Sequence, residues 1–524
     1  MIPGLPPLVH LETKTLDGDA SAVTLPESGT IAGHANFPAG SVHVVCIWTS
    51  RSTTSTTSDQ GTNVTVNGDT GAKYDLQRLD GTNTSGTLAG FTESGTTSWS
   101  NLAAHTGDDQ DDGFFSPTSL LIPYAFNTAN YAAAISVNGV GDQRVRMGMG
   151  QWEDTAAITS VTITPSSDNW KAGSSFSLYV VDEEYLVTDG EQIIAGSADA
   201  FDDVDVPAQV GDISIISYLR SSNTGTNEAL LIDLNADANN ANYARQYLYG
   251  AGSGGAAGHD TTDRQIGGTM AKGADANHFS PAITTVNAFN YGANDPHVLA
   301  LGGNRSVDTA DGIVIMGSVR RNNVEAVTSV NLTANTSPST WEIGSGMWVY
   351  AVPKTLISRH EVTGSVAANY TFTLSGLTIP STTTDLRLNI YASKDATSAC
   401  DIKMVLNSDT TDANYDFVRM YGHSGSGTPV ADTSTASRAV SGMPGSDDAD
   451  TYGGGTVLFK DYASTSKHKH YLSMFGTAEF AALVLSGRWE NTDAIATIQL
   501  IPQAGNFAIG TIFELESIHG ALGW

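Results

Sequence analysis

The acidic run TGDDQDDG, Thr106 to Gly113, holds the densest set of potential metal ligands in the chain. Asp108, Asp109, Asp111 and Asp112 would offer carboxylate oxygens, the donors that suit a hard cation such as Ca2+. No EF-hand pattern surrounds them, and a solvated acidic loop would read the same way. A second candidate is KHKHY, Lys467 to Tyr471, which puts His468 and His470 on one face of a strand at a spacing metals use. The pair has no counterpart elsewhere in the chain, so a polar or interface role is the plainer reading. GAGSGGAAG, Gly250 to Gly258, is rich in glycine but has no lysine and no following helix, so it reads as a flexible loop and not as a phosphate cradle. There is no GxSxG elbow, no HExxH and no P-loop. Cys46 and Cys400 lie 354 positions apart and outside any zinc pattern, which leaves two buried thiols. Paired glycosidase carboxylates assemble in space and leave no spacing to search for. The acidic residues here sit in loops, however, and the eight tryptophans read as packing residues. The expectation is therefore no catalytic residue, and no cofactor beyond a possible hard cation in the acidic run.

The elements that would position any such group must come from a chain of 524 residues, too long for one ordinary core. Forty per cent hydrophobic residues suffice to fold it. The formal charge is −30, from 55 acidic and 25 basic residues, of which ten are lysine. That surface repels phosphates and anionic headgroups, so neither nucleic acid nor membrane insertion is expected. It would suit crowded copies or a salty environment. No window approaches ~20 unbroken apolar residues. The opening MIPGLPPLVHLETKTLDG lacks the pattern of a signal peptide. A soluble product is expected.

The chain repeats itself three times. NGDTGAKY places Asn67, Asp69 and Tyr74 over Asn235, Asp237 and Tyr243, then over Asn407, Asp409 and Tyr415. The aspartates are 168 and 172 residues apart, and Gly173, Gly344 and Gly510 mark the end of each copy. FFSP at Phe114 answers HFSP at His278. So long a period excludes a solenoid, and each repeat is a whole domain: residues 1–186, 187–356 and 357–524. SVTIT (Ser160–Thr164), SSFSLYVV (Ser174–Val181), GDISIISYLR (Gly211–Arg220) and LRLNIYAS (Leu386–Ser393) alternate as half-buried strands. No convincing amphipathic helix appears. Roughly eight strands per repeat predict an all-β chain of three tandem jelly-roll-like β-sandwich domains. DEEYLVTDGEQ and AVPKTLISRHE read as short linkers that hold the domains close. Within NxD…Y, the preceding Val66, Leu234 or Leu406 would face the core, Asn and Asp would cap a turn, and Tyr would open the next strand. Trp152 and Trp489 hold matching positions as buried sheet-packing residues.

Taken together, NGDTGAKY, WEDTAAITSVTI and AGSSFSLY, with NSDTTDANY, WENTDAIATIQL and AIGTIFEL in the third copy, resemble a repeat domain of virion structural proteins of tailed viruses. The second copy departs from this, since RRNNVEAVTSV has no tryptophan. The resemblance implies a particle component: a tail fibre, baseplate appendage, or capsid turret or decoration. It implies residence in the virion after synthesis in a host cytoplasm. The expected partners are further copies of the chain, as trimer or pentamer, other virion proteins, and a host cell-surface glycan or glycoprotein. It carries no catalytic residues. The rival expectation is a carbohydrate-binding or glycan-cleaving multidomain β-sandwich protein.

Overall fold

The structure is a computed structural model that describes residues 2, 5–54, 60–82, 88–107, 115–140, 143–196, 200–207, 211–222, 228–251, 254–270, 278–287, 295–304, 312–335, 340–381, 383–423, 430–434, 438–444, 452–477 and 481–519. Among these residues the fold is all-β, with a few single-turn 3-10 helices and no α-helix. No helix among them is long and apolar enough to cross a membrane.

The first copy contains β1 (Leu8–Thr15), β2 (Val23–Leu25), β3 (Val44–Ser50), β4 (Gln60–Val66), β5 (Tyr74–Thr82), β6 (Leu88–Thr96), β7 (Trp99–His105), β8 (Ser116–Ile122), β9 (Ala132–Val140), β10 (Arg144–Trp152), β11 (Val161–Pro165) and β12 (Ser175–Val181). One sheet has the order β1-β12-β3-β8-β9-β10-β5-β6, and the other β2-β11-β4-β7. Without β5, β6, β9 and β10 the orders are β1-β12-β3-β8 facing β2-β11-β4-β7, which is the jelly roll with its last strand beside its first. The remaining strands are two inserted hairpins, β5–β6 and β9–β10, which zip together through β10 and β5 and widen the first sheet to eight. The second copy, from Leu186–Ile193 to Gly346–Val352, and the third, from Leu356–Glu361 to Ile512–His519, repeat both orders strand for strand. The expected eight strands per copy are thus the jelly-roll skeleton, and the full count is twelve.

Several local readings are corrected. GAGSGGAAG is no loose loop: most of its residues belong to the hairpin Tyr243–Ala251 and Gly254–Asp260, the second copy's counterpart of β5–β6. The linkers also fold into strands. Of the first, Asp182 to Tyr185 make a capped 3-10 turn and the rest enters Leu186–Ile193. Most of the second lies in Gly346–Val352 and Leu356–Glu361. Cys46 is buried in β3, its thiol pushed up to about 12 by desolvation, whereas Cys400 is only half-buried and opens a strand.

Burial explains a further difference. The four segments expected to be half-buried all lie in strands, but Asp212–Leu219 is buried at every position and Thr383–Ala392 at nearly every one. Alternate residues of β3 show why. Val44, Cys46 and Trp48 point into the first sandwich beside Val64, Val161 and Ile163. Val45 and Ile47 point the other way, into a common core with Ile216 and Tyr218 of the second copy and Met420, Leu472 and Met474 of the third. The large sheets therefore bury both faces: one closes a sandwich, the other closes the centre of the molecule.

The copies meet in rotation. A Cβ on Gly139 would lie 2.0 Å from the Ser486 hydroxyl of the third copy. One on Gly303 would lie 3.1 Å from Met149 Cβ of the first, and one on Gly476 would lie 2.1 Å from Ser318 Oγ of the second. These glycines share one strand position, opposite Val145, Val314 and Ala482, and Ser486, Met149 and Ser318 share another, three residues before Trp489, Trp152 and Arg321. Each copy thus presents one surface to the next and receives the other, and the three contacts close on themselves. This is a heterologous ring of three inside a single chain.

Candidate functional site: the domain corners and seams

Each repeat signature builds the same corner. Val66, Leu234 and Leu406 end a strand and are fully buried. The chain then turns through Asn67, Asn235 and Asn407 at φ 54°, 57° and 50°, a left-handed conformation that asparagine tolerates. Asn67 Oδ1 accepts from the backbone N–H of Thr159 (2.6 Å), and its Nδ2 donates to Ala157 O (2.8 Å). Asn235 does the same with Thr328 and Ala326, and Asn407 with Ala496 and Ala494. The tyrosine opens the next strand. Tyr74 Oη accepts from Val66 N (3.0 Å) and donates to Asp69 O (3.0 Å). Tyr243 and Tyr415 repeat both bonds.

The aspartate completes the clasp. Trp152 Nε1 donates to Asp69 Oδ2 (3.0 Å), and Trp489 Nε1 to Asp409 Oδ2 (2.8 Å); each indole stacks on its tyrosine. In the second copy Arg321 stands where the tryptophan is missing, and its Nε donates to Asp237 Oδ2 (3.1 Å). The missing tryptophan therefore leaves the corner intact, with a guanidinium doing the work of an indole N–H. All three carboxyls are held below their usual range. For Asp69 the Gly71 N–H is the main cause; for Asp237 and Asp409 burial opposes ionisation but is outweighed by side-chain and backbone donors. These side chains spend their hydrogen bonds on the chain itself, so the signature marks a fastening.

The seams carry a second set of buried polar groups. His43, Asp212 and Asp385 occupy one seam position, beside Val181, Val352 and Ile518. Between the first two copies His43 meets Trp348 edge-on at 4.7 Å between ring centres, with Tyr350 behind it. Its Nδ1 accepts from Tyr124 N (3.0 Å), and burial lowers its pKa to about 3. Tyr350 donates to Glu183 (3.0 Å), whose carboxyl burial raises to about 7. Between the second and third copies Lys354 reaches Glu514 (2.5 Å) and Asp212 (3.5 Å), while Arg387 pairs with Glu516. Between the third and first, Lys460 pairs with Asp385 (2.8 Å) beside a small cavity lined by Ile47, Thr118, Phe459 and His470.

The acidic run with Asp108, Asp109, Asp111 and Asp112 lies outside the described residues. His468 precedes the strand Lys469–Thr477, and His470 lies within it, buried, with burial pushing its pKa well below the ordinary histidine value. Among the described residues, Asp75, Glu153 and His278 bring one potential ligand atom each within 4.8 Å of one another, a set that sequence spacing does not reveal because it spans two copies. His278 was visible only as the first letter of HFSP.

The class of protein defined here is a single chain of three tandem jelly-roll sandwiches closed into a ring. No protein-family model and no curated protein matches the chain. Solved structures give weak likenesses. Exo-inulinase from Aspergillus awamori has TM-score 0.21 at 10% identity, over 97% of this chain and 84% of that one. Exo-beta-1,3-galactanase from Phanerochaete chrysosporium has TM-score 0.12 at 7% identity, over 84% and 96%. A human SPRY domain has TM-score 0.10 at 11% identity, over 32% and 96%. At such scores the likenesses carry no argument about this chain.

Proposed function

We propose that the protein is a non-enzymatic structural protein of a tailed virus particle, a baseplate appendage, tail fibre, or capsid turret or decoration component, that contributes to assembly and host-surface contact. The observation that supports this reading is the rotational closure of three jelly rolls in one chain through Gly139, Gly303 and Gly476. A ring of this kind offers a three-fold platform on which symmetric neighbours can sit, and it favours an appendage or decoration over a fibre of repeats strung end to end. The signature polar residues serve the fold, which agrees with a structural role. The strong negative charge would keep assembled particles apart.

The test is to measure the mass of the purified protein, with and without molar salt, and its copy number in isolated particles, beside a glycan-hydrolysis screen. The reading expects a homo-oligomer or a fixed stoichiometry in particles, and no hydrolysis. A strict monomer that degrades a host polysaccharide would contradict it.

A further inference from the structure

We propose that the seam between the first and second sandwiches binds a transition-metal ion of the Zn2+ class through Asp75, Glu153 and His278. Asp75 is the second residue of β5, Glu153 directly follows β10, and His278 precedes the second copy's strand Ser280–Asn287. One donor atom from each lies within 4.8 Å of the other two. Nε2 of His278 and Oε1 of Glu153 are 3.5 Å apart. Two ligands each about 2.0–2.1 Å from a tetrahedral ion stand about 3.3–3.4 Å from one another, so this pair is already near coordination spacing. Asp75 and His278 are buried and Glu153 is half-buried, which leaves the solvent side for a water ligand. The Gly95 N–H donates to Asp75 Oδ1 (2.9 Å), and the Tyr131 ring meets the imidazole edge-on at 5.1 Å. Both contacts fix the orientation of a ligand, as outer partners of metal sites do.

The third copy holds the same two carboxylates and shows what they require. Asp416 follows Tyr415 and Glu490 follows Trp489, as Asp75 follows Tyr74 and Glu153 follows Trp152. There Arg488 clamps both: its Nε donates to Asp416 Oδ2 (2.8 Å), and its Nη2 reaches Asp416 and Glu490. Across from Asp75, at the place of Arg488, stands Gln151. The first copy therefore keeps the acid pair, lacks its guanidinium, and receives an imidazole from the next domain. In the second copy the acids are replaced by Ala244 and Asn322. Two carboxylates with one imidazole form a mixed oxygen and nitrogen set. That set selects a borderline ion such as Zn2+ over Ca2+, which takes six to eight oxygens. A bound ion held by all three side chains would tie the first two sandwiches together.

The full-length protein, stripped with EDTA, is titrated with Zn2+ by calorimetry and with Co2+ by visible absorption, and its melting temperature is followed alongside. The proposal expects one equivalent to bind, a melting temperature that rises with Zn2+ and falls back with EDTA, and a tetrahedral Co2+ spectrum. His278→Gln and Glu153→Gln should each lose all three responses. Gln151→Arg, which copies the third-copy clamp, should lose them while keeping the metal-free melting temperature. Should that variant fold poorly, the His278 and Glu153 variants decide. Two results would overturn the proposal: no uptake of Zn2+ or Co2+ by the folded wild type, which leaves only a His278–Glu153 ion pair, or uptake that survives His278→Gln and Glu153→Gln.

Discussion

The first and second copies are joined across an aromatic seam, and the second and third across an ionic one, although the two seams use the same positions. Tyr350 and Glu516 each lie six residues after a landmark glycine, and Trp348 and Glu514 four residues after. His43 faces the first pair; Asp212, with Lys354 and Arg387, faces the second. Position in the ring decides that these sites are buried, and it does not decide their chemistry. Rings that meet edge-on gain from apolar burial and from the edge contacts themselves. Buried ions gain little net energy but are costly to break singly. The ring can thus be closed by either chemistry provided each seam is complete in itself.

The largest expected effects come from leaving a seam or corner half-made. Glu516→Ala removes the close partner of the buried Arg387 guanidinium, leaving it Asp212 at 3.9 Å, and should cost ~3–5 kcal/mol in denaturant unfolding. Replacing both, as Glu516→Tyr with Arg387→Val, copies the first copy's paired residues Tyr179 and Val45 and should cost less than the single change. A double variant worse than the single one would break the equivalence of the seams. Trp348→Ala and Trp489→Ala should each cost ~3–5 kcal/mol as cavities. Arg321→Ala should cost a smaller ~1–3 kcal/mol, through loss of a charge-assisted bond to an aspartate that Asn242 still serves.

Acid should act next. The folded pKa of His43, near 3, lies below the unfolded value near 6.5. The fold therefore holds the neutral ring, and the contribution of His43 is complete above pH ~6.5 and is lost as pH falls toward 3, at up to about 1.4 kcal/mol per pH unit. Glu183 works in the opposite sense, since its folded pKa is raised to about 7 and its contribution is lost as pH rises through that value. Comparing His43→Gln with wild type isolates the first effect: the difference in unfolding free energy should change between pH 6.5 and 4. A pH-independent difference would remove His43 as an acid-sensitive point. Smallest is Asn67→Asp, which loses the donor to Ala157 and should cost ~1 kcal/mol by thermal unfolding.

Much of the fold was legible because one corner is written three times. Asn67, Asp69 and Tyr74 are each needed for a bond that only their side-chain type makes at that place, so drift has left the text readable. The jelly-roll skeleton followed from alternation, as in β11, where Val161 and Ile163 are buried and Thr162 and Thr164 are half-exposed. Of the inserted strands, β5, β9 and β10 escaped because they are buried on both faces and do not alternate. β5 reads YDLQRLDGT, with Asp80 buried against Arg146 (2.6 Å), a pattern that resembles loop text. The glycines of 250–258 looked flexible, yet Gly250 is small because Leu79 of the first copy packs against it. Arg321 in place of tryptophan was illegible in kind: a different side chain supplies the same N–H. The Asp75, Glu153 and His278 set was illegible in principle, since only the packing of the second sandwich on the first brings His278 to the other two.

That closure is tested most directly by three distances. Thr70, Ala238 and Thr410 each follow the signature aspartate and are exposed. Spin labels are placed on cysteines at these sites, two at a time, in a background with Cys46 and Cys400 replaced, and read by pulsed dipolar spectroscopy. The account predicts three equal separations, the sides of one triangle. Two equal separations with the third close to their sum would describe three sandwiches in a row and contradict the ring.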